Sequence, residues 1–176
     1  LIRRFGGLLH RVVLARTQYP PVYLIRHGEK AGAEHILDLS PRGEMRAAAL
    51  SAVFFPKYNK PKYGPIDVVV TQQPSDTFPI ERELHTAEVI VGNSGTTPLR
   101  RFKHTDEFSL IRYLQSVVLD GVTPLLVWEH YRLPAVAIGL VLRFNRSYEQ
   151  ARHPIWPDDR YDILWELNLN EGTIEH

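Results

Sequence analysis

Short apolar runs alternate with stretches of helical spacing along most of this chain. Val22–Ile25 is apolar and β-branched or aromatic, and it stops at Arg26-His27-Gly28. Residues 67–71 (Asp-Val-Val-Val-Thr) and 124–128 (Pro-Leu-Leu-Val-Trp) are similar short runs, and 99–103 (Leu-Arg-Arg-Phe-Lys) is read as a short strand. Continuous apolar runs of this length predict strands buried on both faces. Between them, Ser40-Pro41 opens a helix over 42–55, since serine caps and proline suits the first helical position. Met45, Ala48, Ala49, Ala52 and Val53 are read as its apolar side. Further helices are predicted over 80–91, over 106–119 (Phe108, Ile111, Leu114 and Val118 at helical spacing) and over 132–143. Alternation in Tyr161–Leu169 predicts a strand near the sheet edge. Loops fall at Lys57–Pro65, Gln72–Pro79 and Gly92–Pro98. Strand-helix alternation of this kind predicts an α/β fold: a three-layer α/β/α sandwich with a mostly parallel central sheet.

Composition changes the picture little. With 176 residues, 44% hydrophobic and 23% charged, the chain fits one domain with a substantial core. No apolar run approaches the ~20 residues of a membrane helix, and a net charge of +1 offers no broad cationic face, so neither membrane nor nucleic acid is an expected partner. The absence of cysteine excludes disulfides and thiol catalysis without fixing a redox compartment. Residues 1–20 carry Arg3, Arg4, Arg11 and Arg16 and no acid, which predicts a basic arm or helix ahead of a single domain over 21–176. A cytoplasmic location is expected, with an organelle left open by that arm. The chain opens on Leu1 rather than Met, so upstream sequence is expected. From Asp158 onward the charge is acidic.

The candidate chemistry lies where strands end. Open α/β sheets present ligand-binding groups at the C-terminal ends of their strands. Arg26 supplies a fixed cationic fork, His27 an imidazole able to act as nucleophile, acid or base, and Gly28 a sharp turn. A second strand ends in Trp128-Glu129-His130. The other histidines show no metal-ligand spacing, and no Gly-x-x-x-x-Gly-Lys loop is present. Trp128, Trp156 and Trp165 are assigned to the core or its rim.

These residues resemble those of the histidine phosphatase superfamily, the phosphoglycerate-mutase-like enzymes. Arg26-His27-Gly28 is similar to its first-strand signature. Leu39-Ser40-Pro41-Arg42-Gly43 with Arg46-Ala47 resembles its following helix start, in which Arg42 and Arg46 are read as solvated. Arg82-Glu83-Leu84-His85-Thr86-Ala87 resembles its Arg-x-x-x-Thr-Ala segment, although the loop between Thr71 and Arg82 is longer than in many members. The tail Pro157-Asp158-Asp159-Arg160-Tyr161-Asp162-Ile163-Leu164-Trp165 resembles a small, largely uncharacterised subgroup common in fungi.

The resemblance implies a metal-independent, cofactor-free phosphatase acting on a phosphomonoester or phosphoramidate of a small molecule or phosphoprotein. In it His27 becomes a phosphohistidine, and Arg26, Arg82 and His130 hold the phosphoryl group, with Glu29 beside them. Glu107 is the expected acid, with Asp106, Glu29 and Glu129 as rivals. Without an acid, good leaving groups such as phosphoramidates remain open to cleavage. A phosphoglycerate-type mutase and a catalytically silent phosphate-binding module are the alternatives. Substrate selectivity is expected from loops Ala31–Asp38, Gln72–Pro79 and Phe144–Trp156.

Overall fold

Side chains alternate between the two faces of each strand, and each face buries its own set. On one face Val22, Leu24, Val68, Val70, Leu126 and Trp128 pack against Leu110, Leu114, Leu133 and Leu140. On the other, Tyr23, Ile25, Val69, Leu125 and Val127 pack against Phe54, Ala87 and Ile90. Two separate apolar layers on one sheet give three layers overall. The computed structural model describes residues 18–32, 37–92, 94–144 and 155–175.

The elements run β1 (Val22–Arg26), α1 (Pro41–Phe54), β2 (Val68–Gln73), α2 (Arg82–Gly92), β3 (Leu99–Lys103), α3 (Glu107–Leu119), β4 (Pro124–Trp128), α4 (Leu133–Arg143), β5 (Leu164–Asn168) and β6 (Thr173–Glu175). The six-stranded sheet has the order β3-β2-β4-β1-β5-β6. The β1–β4, β2–β4 and β2–β3 pairs are parallel, and β5 and β6 add antiparallel strands beyond β1. Helices α1 and α2 cover one face, α3 and α4 the other. The chain therefore leaves β1 and β4, adjacent strands, toward opposite faces. That divergence opens a crevice at their C-terminal ends, where an α/β sheet takes its ligand.

Three sequence readings need correction. The buried side of α1 is Gly43, Ala47, Ser51 and Phe54, whereas Met45 is 67% exposed. Small residues face inward because this helix is pressed against the β1 loop. Strand β2 runs on through Gln72 and Gln73, which pair with Phe102 and Lys103 of β3, so the loop begins later than Gln72. Phe108 also departs from the expected stripe of α3: it is 62% exposed, lying between the Arg112 and Arg143 guanidiniums. The tail strand lies one strand from the sheet edge, between β1 and β6, as its alternation predicts. Trp128, Trp156 and Trp165 are buried, as expected. Residues 1–17 of the basic arm lie outside the described residues, as do parts of the Ala31–Asp38 and Phe144–Trp156 loops. Among the described residues, no helix is long and apolar enough to cross a membrane.

Candidate active site at the ends of β1 and β4

The register Arg26↔Trp128 sets His27 beside Glu129-His130 just past the ends of adjacent parallel strands. Sequence motifs far apart in the chain close around this point through backbone contacts. Ser40 N–H and Oγ–H donate to the Glu29 carbonyl at 2.9 and 3.0 Å, and Ser40 Oγ accepts from Gly43 N–H at 3.1 Å. Gly28 N–H donates to Thr86 Oγ1 at 3.0 Å. A Cβ on Gly28 would lie 2.6 Å from the Gly43 carbonyl oxygen, and one on Gly43 would lie 2.3 Å from that of Glu29. The glycines at both positions let α1 touch the loop that carries His27.

His27 is 2% exposed. Its Nδ1 lies 2.5 Å from the carbonyl oxygen of Gly28. A carbonyl only accepts, so Nδ1 carries the proton and Nε2 keeps its lone pair. Burial pushes this imidazole down to about 3, and Arg82, Arg26 and His130 each push it in the same direction. It is therefore neutral at pH 7, with three cationic or potentially cationic groups close by.

Arg26 is buried and stacks on the Tyr161 ring, 3.9 Å from guanidinium carbon to centroid. Its Nη2 donates to Tyr161 OH at 3.2 Å, while Nη1 donates to the Asp158 and Arg160 carbonyls. His130 Nε2–H donates to Asp158 Oδ1 at 3.0 Å. Burial, then Arg26, lowers the basicity of His130, and Asp158 opposes that shift. Arg82 is the first residue of α2, where the helix N-terminus adds positive potential. Thus Arg26, His27, Arg82 and His130 converge, and the turn over 157–161 lies against them.

The carboxylates sort differently from the sequence reading. Glu29 receives Arg46 through three contacts of 2.6–3.0 Å, and Arg42 Nε lies 3.2 Å away. Burial would raise its pKa, but the Arg46 hydrogen bonds and charge prevail and hold it below the usual carboxylate range. Glu29 is thus an ionised anchor for α1; Arg46 is its partly buried partner rather than a solvated side chain, whereas Arg42 reaches it from a side chain that stays 76% exposed, as expected. Glu107 begins α3 and sits 3.5 Å from Arg132 Nη1, with no contact to His27 among the described residues. Asp106 caps α3 by accepting from Ser109 N–H at 3.2 Å. Glu129 is buried between Arg132 Nε (3.5 Å) and His104 Nε2 (3.7 Å).

The carboxyl beside the imidazole is Glu83, which stands in the Arg82–Ala87 segment but is not among the acids expected from the sequence. It is 1% exposed, and its Oε1 lies 3.8 Å from His27 Nε2. Neither oxygen has a hydrogen-bond partner on another described residue. Burial raises it to about 7; Glu129 adds to the shift, and Arg82 and Arg26 oppose it. A signal existed: Glu83, Thr86, Ala87 and Ile90 share helical spacing, and all face inward.

A cavity of about 330 Å³ adjoins Tyr161 and is lined by Glu29, Arg42, Arg46, Asp159, Arg160 and Asp162. It flanks the Arg26 cradle rather than containing His27. No cluster of metal-ligating side chains occurs among the described residues.

No family model and no curated protein matches the chain. Among solved structures, the protein histidine phosphatase SixA complexed with tungstate is similar, with a TM-score of 0.56 at 19% identity, over 88% of this chain and 92% of that one. A structure assigned as phosphohistidine phosphatase SixA from Agrobacterium tumefaciens gives 0.49 at 15% identity, over 85% and 92%. The first likeness establishes the fold: an α/β architecture with a six-stranded central sheet and four helices, shared with SixA.

Proposed function

We propose that this chain is a phosphatase that transfers a phosphoryl group from its substrate to His27 and then to water. One observation carries the reading: a neutral, buried imidazole whose Nε2 lone pair is free and which is hemmed in by Arg26, Arg82 and His130. Nε2 attacks phosphorus, and the bond to the leaving group breaks. Water then attacks the phosphohistidine, the N–P bond breaks, and the lone pair returns to Nε2. Splitting the displacement in two replaces one hard step with two easier ones. The guanidiniums and His130 hold the equatorial oxygens, where charge stabilisation is most effective in a buried site.

The fold shared with a phosphatase solved around tungstate, itself a phosphate-like oxyanion, supports this reading. So does the tail on which the resemblance to the fungi-rich subgroup rests, because its Asp158, Arg160 and Tyr161 contact Arg26 and His130. The substrate is a phosphorylated small molecule or protein. The test is His27→Ala with p-nitrophenyl phosphate: turnover falls at least ~10³-fold while the circular dichroism spectrum is unchanged. Retained turnover would remove the mechanism.

A further inference from the structure

Leaving groups differ in what they need. An aliphatic alkoxide departs only if it is protonated, whereas p-nitrophenolate leaves without help. A phosphatase confined to good leaving groups needs no acid at its nucleophile, so a carboxyl there narrows the substrate class.

Five other carboxylates at this end of the sheet are committed elsewhere. Glu29 is ionised on Arg46, and Glu107 pairs with Arg132. Asp106 caps α3, and Glu129 lies between Arg132 and His104. Asp158 is engaged with His130 Nε2 at 3.0 Å from a side chain that is 94% exposed, outside the buried crevice. Glu83 differs from all of these. It is buried, without a hydrogen-bond partner on another described residue, and 3.8 Å from the attacking nitrogen. A phosphoryl group on Nε2 would bring its oxygens beside this carboxyl.

We propose that Glu83 is the proton donor to the leaving oxygen, and that the substrate is a phosphomonoester of an aliphatic alcohol. This rests on His27 being the phosphoryl acceptor. As Nε2 bonds to phosphorus, the P–O electron pair passes to the leaving oxygen, which takes the Glu83 proton and departs as alcohol. In the second step the Glu83 carboxylate takes a proton from water as the water oxygen bonds to phosphorus and the N–P bond breaks. The enzyme is thereby restored. Groups facing Glu83 are Arg82 on its own helix, Arg26 and His27 at the end of β1, and Glu129 and Tyr131 beyond β4. Burial outweighs the two arginines, so a substantial fraction of Glu83 is protonated near pH 7.

The experiment compares Glu83→Gln with wild type on ethyl phosphate and p-nitrophenyl phosphate. Wild type is first checked for phosphate label on His27; absence of label would overturn the phosphatase reading and this inference with it. Given label, kcat/KM on ethyl phosphate should fall about 10²–10³-fold in the variant, against less than ~10-fold on p-nitrophenyl phosphate. That parameter reports the first transfer, so loss of the base in the second step leaves it untouched and instead accumulates phosphoenzyme. Equal losses on both substrates would overturn the proposal while leaving His27 in place. Glu83→Asp should recover part of the ethyl phosphate activity. The wild-type pH profiles give a second measure that needs no variant. The ethyl phosphate profile should fall as pH rises through about 7, and the p-nitrophenyl phosphate profile should not. Coincident profiles would overturn the proposal.

Discussion

Gly28 and Gly43 touch so closely that a Cβ on Gly28 would stand 2.6 Å from the carbonyl oxygen and 2.9 Å from the Cα of Gly43. Backbone opposes backbone at this contact, so no rotamer change can relieve a clash. Gly28 also supplies the carbonyl that orients His27. Gly28→Ala is expected to lower stability by about 1–3 kcal/mol, as overpacking does, and to cut kcat sharply by shifting the imidazole. Thermal unfolding and turnover, measured together, check both effects.

The Arg46–Glu29 pair predicts a different outcome. Because Arg46 and Arg42 hold Glu29 ionised, Glu29→Gln should leave turnover within about threefold. It should cost about 1 kcal/mol, the worth of a partly exposed ion pair. A hundredfold loss of turnover with the fold retained would return Glu29 to the proton-donor role.

Stability should depend on pH through two buried groups of opposite sign. His27 is held near 3, below its ordinary 6.5. The unfolded chain therefore binds the extra proton as pH falls from 6.5 toward 3, and stability is lost on acidification. Glu83 is held near 7, above its ordinary 4.5. Here the folded chain binds the extra proton, so stability is full below 4.5 and is lost as pH rises to about 7. At about 1.4 kcal/mol per pH unit, the Glu83 loss amounts to about 3 kcal/mol. Glu83→Gln should thus be more stable than wild type at pH 8 by up to that amount, relative to any difference at pH 4. Urea unfolding at the two pH values measures it.

Asp158 lies on His130 Nε2, at 3.0 Å, where a phosphoryl oxygen would compete for the same N–H. Removing its charge with Asp158→Asn should strengthen inhibition by inorganic phosphate about two- to fivefold, as fits a solvent-exposed carboxylate. Weaker inhibition would mean that the carboxylate supports the anion site by keeping His130 protonated.

Much of the sheet was legible because β1, β2 and β4 are buried on both faces and so read as unbroken apolar runs. The gathering of Arg82, Arg26 and His130 around His27 was legible because strand and helix ends of an α/β sheet meet on one side of it. Other features depend on tertiary packing. Helix α1 is turned by the Gly43–Glu29 contact rather than by its larger apolar residues. Strand β6 has three residues and is defined by pairing with β5. Glu83 occupies a helix first turn, where acids are ordinary partners of the helix dipole, and only the inward side of α2 distinguishes it. Glu107 and Glu29 stand near the motifs, but they face Arg132 and Arg46.

The most direct measurement is the chemical state of His27 during turnover. Wild type is mixed with ³²P-labelled substrate, quenched in alkaline denaturant to preserve a phosphoramidate bond, and digested for peptide mapping. One labelled site is expected, on His27 Nε2, absent from His27→Asn. Label on another residue, or turnover with no labelled protein at any quench time, would contradict the account.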